Sequence, residues 1–70
     1  MRGFADPRLA SLRRGKKTAE VYDLLGFPTH RRPSREGEFD ASVEIWETRR
    51  ESIEVTFVSG LVVKISTSPR

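Results

Sequence analysis

The sequence has no cysteine and only one methionine, one tryptophan and one tyrosine. Without cysteine it offers no disulfide, no thiolate metal centre and no thiol to carry a lipid. Long apolar runs are missing too: nothing approaches the roughly 20 residues that cross a bilayer as a helix. The opening Met1-Arg2-Gly3-Phe4-Ala5-Asp6-Pro7 does not lead into the apolar core of a signal peptide. A length of 70 residues allows one small domain and excludes a two-domain enzyme with a cleft between halves.

Catalytic sets are equally scarce. His30 is the sole histidine, and Ser11, Ser34 and Ser42 stand in no motif that activates a nucleophile. Gly15, Gly26, Gly37 and Gly60 are each isolated, so no glycine-rich loop cradles a phosphate. Glu36, Glu38 and Asp40 alternate beside Gly37, but the further oxygen ligands of a calcium loop are absent. The expectation is a non-enzymatic chain with no cofactor and no metal.

Charge is plentiful and uneven. Residues 1–35 hold nine basic and three acidic side chains, and residues 36–70 hold four and seven, so +6 and −3 sum to the net +3. Such a dipolar surface orients partners and favours self-association.

Apolar spacing sets the expected elements. Asp6-Pro7 reads as the start of a short helix with Leu9 and Leu12 on one face, ended by Gly15. A second helix spans Thr18 to Leu25, with Val21, Leu24 and Leu25 as its stripe, Thr18 as its cap and Gly26-Phe27-Pro28 as its stop. Residues 29–42, polar and broken by Pro33 and Gly37, read as a long mobile loop. Three strands follow, around 43–48, 53–57 and 61–65. Pairing Phe57 with Leu61, Val55 with Val63 and Ile53 with Ile65 puts these six residues on one face. That register makes Val58-Ser59-Gly60 a three-residue loop. It is preferred to a two-residue Ser59-Gly60 turn, which sets Val55 against Lys64. The expected fold is α+β: two N-terminal helices packed on a three-stranded antiparallel meander. The domain runs over residues 6–66, with flexible ends at 1–5 and 67–70.

These elements resemble a known family. Leu12-Arg13-Arg14-Gly15 leads to a helix with Val21 and then Leu24-Leu25-Gly26-Phe27-Pro28. After a variable loop come Trp46 and the hairpin Phe57-Val58-Ser59-Gly60. The pattern is similar to the BamE (SmpA/OmlA) family, small lipoproteins of the outer-membrane β-barrel assembly machinery, and its two-helix, three-strand order also resembles the repeat of β-lactamase-inhibitor proteins. The resemblance implies a protein-interaction domain, accessory to outer-membrane assembly or envelope integrity. It would lie at the periplasmic face of the outer membrane if these residues are a trimmed mature domain, and in the cytoplasm otherwise.

Two surfaces are candidates. Trp46, Val62, Phe27, Arg31 and Arg32 are the expected protein-binding residues, on a polar sheet face and the 29–42 segment. Arg13, Arg14, Lys16, Lys17, Arg31 and Arg32 form the alternative, a basic surface for the phosphates of nucleic acid. Self-association through edge strands into a homodimer is a third reading.

Overall fold

The structure, a computed structural model, describes residues 12–69. In chain order it comprises α1 (Thr18–Leu25), β1 (His30–Glu36), β2 (Phe39–Glu47), β3 (Glu51–Val58) and β4 (Leu61–Pro69). The strands form one antiparallel sheet in the order β1-β2-β3-β4. Among the described residues, one helix and four strands stand in place of the expected two helices and three strands.

The expected first helix lies mostly outside the described residues. Its end does not extend a helix: Arg14-Gly15 form a turn, and the chain then runs beside the start of β4. Gly15 N–H donates to the Val62 carbonyl at 2.9 Å, and Val62 N–H donates to the Lys16 carbonyl at 2.8 Å. These backbone groups are satisfied by a strand edge instead of by a helical turn.

The helix α1 matches its expected bounds, but Lys17 and not Thr18 is the N-cap. Glu20 accepts the Lys17 N–H at 2.8 Å, closing the first turn. This bond holds the Glu20 carboxyl below its ordinary value. Thr18 is used elsewhere, its N–H and hydroxyl both donating to the Gly60 carbonyl, at 2.9 and 3.1 Å. The start of the helix is thereby tied to the β3–β4 turn.

Residues 29–42 are not a mobile loop. His30–Glu36 pairs with β2 from His30 against Ile45 to Glu36 against Phe39. The turn Gly37-Glu38 between them has φ +60 at Gly37, the backbone that a tight hairpin asks of its first central residue. As an edge strand of polar residues with Pro33 inside it, β1 follows the usual protection of exposed edges by charge and proline.

The β3–β4 hairpin also differs from the expected register. Val58 pairs with Leu61 and Phe57 with Val62 across the two-residue turn Ser59-Gly60. Both turn residues have positive φ, +53 and +77, as the turn with matching twist requires. A β-bulge then absorbs Val63, so Thr56 meets Lys64 and Val55 meets Ile65. The extra residue restores the apolar pairing that an unbulged two-residue turn would break. β4 continues to Pro69, so residues 67–69 belong to the strand and not to a tail.

Alternation along the strands separates two faces. The front face carries Trp46, Ile53, Val55, Phe57, Val62 and Ile65, which pack with Leu12, Val21, Tyr22 and Leu25. Leu61 and Val63, expected in this core, are 42% and 37% exposed, while Val62, expected on the other face, is buried. The two-residue turn is the reason, since it sets Val62 opposite Phe57 and Leu61 opposite Val58; the bulge then returns Ile65 to the core face opposite Val55.

Candidate interaction surface

The back face of the sheet, away from α1, is built by register. One row across the strands holds Arg32, Val43, Thr56 and Lys64, and the next holds Ser34, Ala41, Val58 and Leu61. Phe39 extends β2 beyond Ala41, opposite Glu36. Val43 and Thr56 are buried although they point away from the helix.

Two ion pairs span this face. Arg32 lies 3.9 Å from Glu54, and Lys64 lies 3.4 Å from Glu36. The stems of these long side chains cover apolar surface while their charged ends remain in water. Around them, Phe39 at 64%, Leu61 at 42% and Val63 at 37% stand exposed, with Ala41 and Val58 half-buried between. The arrangement mixes exposed apolar side chains with ion pairs that cross the face, a composition suited to a protein contact.

The front face holds a buried polar cluster. The Glu44 carboxylate is buried among apolar neighbours, so it must be partnered. The Tyr22 hydroxyl donates to its Oε1, while Oε2 accepts from Ser42 Oγ at 3.3 Å and Arg31 Nη2 at 3.4 Å. Burial raises the Tyr22 phenol above its ordinary value, and its hydrogen bond to Glu44 adds to the shift. A cavity of about 270 Å³ lies beside this cluster, lined in part by Thr18, Arg31, Ser42, Glu44 and Gly60. Each polar atom of the Glu44 carboxylate is occupied within the chain, so the cluster joins helix to sheet and leaves no free acid or base.

The expected protein-binding residues separate. Trp46 is 4% exposed, and its indole N–H donates to the Gly26 carbonyl at 2.9 Å, closing the end of α1. Val62 is buried in the core, so neither residue belongs to a surface. Phe27 is 85% exposed and sets its ring edge-on against Tyr22 at 5.7 Å. Arg31 and Arg32 are exposed on opposite faces of β1, paired with Glu44 and Glu54 respectively.

The basic residues separate as well. Arg13, Arg14, Lys16 and Lys17 lie beside β4, whereas Arg31 and Arg32 lie on β1, with β2 and β3 between. The sequence reading missed Phe39, treated as the end of a loop, and Leu61 and Val63, treated as core. The exposed β2 end follows from the alternation Phe39, Ala41, Val43 once β1 is known to pair there.

Among the described residues no group of three or more His, Cys, Asp or Glu side chains is placed to hold a metal, and no helix is long and apolar enough to cross a membrane. No family model, no curated protein and no solved structure matches the chain.

Proposed function

We propose that this chain is a non-enzymatic protein-interaction domain whose contact surface is the back face of the sheet around the β3–β4 turn. One observation carries the reading. Of the four large hydrophobic side chains exposed among the described residues, Phe39 and Leu61 lie on this face, and Val63 stands in the bulge next to Lys64. A small chain gains stability from every apolar group it buries. Placing Phe39 and Leu61 outward on one face, with Val63 in the adjoining bulge and the charges of Glu36, Lys64, Arg32 and Glu54 among them, suits a surface that another protein covers.

An envelope-assembly role is not part of this proposal, because the two-helix, three-strand order that accompanied the motif resemblance is not what the described residues form. The contact surface also moves: Trp46 and Val62 leave it, and Phe39, Leu61 and Val63 enter.

The test is affinity capture from the native source with the wild-type chain and a Phe39→Ser, Leu61→Ser variant. Circular dichroism checks that both are folded. A partner recovered with the wild type and lost with the variant supports the proposal. Equal recovery by both, or recovery of nothing under chemical cross-linking, overturns it.

A further inference from the structure

We propose that the groove between Arg13-Arg14 and β4 binds the phosphodiester backbone of single-stranded nucleic acid without reading its sequence. The site lies at the edge of the sheet; it shares Val63 and Lys64 with the back-face surface but not Phe39 or Leu61.

The groove has a structural origin. The segment leading into α1 hydrogen-bonds to Val62 from both Gly15 and Lys16, then parts from β4 where the bulge at Val63 turns the strand. The parting leaves a cavity of about 440 Å³ lined by Arg13, Arg14, Val63, Lys64 and Ile65. A second cavity of about 330 Å³ is lined by Arg13, Arg14, Gly15, Lys16 and Glu20. Both share the two arginines, so a ligand passing through them runs from Lys64 past both guanidinium groups to Lys16. That path suits a linear polyanion better than a compact one.

The electrostatics agree. Among the described residues no carboxylate lines the larger cavity. In the smaller one, Glu20 accepts from the Lys17 N–H and lies 3.9 Å from Lys16, so its charge is already engaged. Arg31, Arg32 and Arg35 each have a carboxylate within 4 Å, at Glu44, Glu54 and Asp40. Arg13 and Arg14 have no ion pair among the described residues and are exposed. Two adjacent guanidinium groups free to make forked hydrogen bonds match phosphate oxygens. Among the described residues no aromatic side chain lines either cavity, so these offer bases no stacking platform. The affinity is therefore expected from phosphate contacts alone and is salt-dependent.

Fluorescence anisotropy of a labelled oligothymidylate with the full chain, between about 50 and about 200 mM salt, tests this. Each phosphate contact contributes about −0.7 to the slope of log affinity against log salt. Arg13→Ala with Arg14→Ala is expected to weaken binding roughly tenfold or more at low salt, and to make the slope about 1.4 shallower, two contacts at about 0.7 each. The charge-keeping pair Arg13→Lys with Arg14→Lys is expected to retain most of the affinity, which separates lost contacts from lost folding. Arg32→Ala is expected to change affinity less than about twofold. Absence of salt-dependent binding by the wild type overturns the proposal. So does equal weakening by Arg32→Ala, which would mean diffuse attraction without a site.

Discussion

Lys64 on β4 holds Glu36 on β1 at 3.4 Å although β2 and β3 lie between them. In a flat sheet these strands stand three spacings apart, about 14 Å, and the two residues occupy different rows. The contact therefore requires the sheet to curl over its back face. Burial of Val43 and Thr56 on that face has the same origin.

The curl is held by strand twist and by covered apolar surface, not by the ion pair itself. Both partners are partly exposed, and such pairs contribute roughly 0–1 kcal/mol. Lys64→Met, which keeps an apolar stem, is expected to lower stability by less than about 1 kcal/mol in urea unfolding. A loss of several kcal/mol would show that the charge pair is what closes the face.

Tyr22 supplies a pH prediction. Its phenol is raised above the ordinary value of 10.0, first by burial and then by its hydrogen bond to Glu44. The unfolded chain thus ionises at lower pH than the folded one, and stability present below pH 10 falls as pH rises towards the folded value. As the sole tyrosine, Tyr22 can be titrated by phenolate absorbance. The expected midpoint lies above 10.0, and Tyr22→Phe is expected to flatten the alkaline fall in stability. A midpoint at or below the ordinary value would contradict the buried contact.

The β3–β4 turn gives a test of register. Gly60 has φ +77, and a Cβ there would meet only Thr18 Oγ1, at 3.9 Å. Space is available, so the cost of Gly60→Ala is backbone strain, about 1–2 kcal/mol. Ser59→Gly relieves the same strain at φ +53 and is expected to be neutral or stabilising. Urea midpoints of both variants check this. Harmless Gly60→Ala would point away from the two-residue turn.

Trp46 links the sheet to the end of α1 through the Gly26 carbonyl. Trp46→Phe keeps an aromatic ring but leaves that carbonyl without its donor, and a loss of about 1–3 kcal/mol is expected. Unfolding followed by circular dichroism measures it. An unchanged midpoint would mean that the indole bond contributes nothing.

Legibility in the sequence follows burial. The stripe Val21, Leu24 and Leu25 with Gly26 behind it predicts α1, and the alternation Ile53, Val55, Phe57 identifies the core face of β3. β1 is illegible by the same logic: both its faces are largely exposed, so His30–Glu36 carries no apolar period, and Pro33 reads as a breaker. Val58-Ser59-Gly60-Leu61 fits a two-residue or a three-residue turn by composition, yet the two-residue turn, with the bulge at Val63 behind it, exchanges Val62 with Leu61 and Val63 between core and surface. Ile45 and Trp46 are adjacent and both apolar, so alternation alone does not choose which faces the helix; the Trp46–Gly26 bond and the pairing with Ile53 do. For these local reasons the sequence pattern places Trp46 and Val62 at the surface although both are buried.

The most direct test of the interaction surface is site-specific photo-crosslinking in the native source. A benzophenone side chain is placed at Phe39, on the back face, and at Asp23, exposed on the helix, as control. A discrete adduct to another protein from position 39, and none from position 23, is the predicted result. No adduct from position 39, or the same adduct from both positions, would contradict the account.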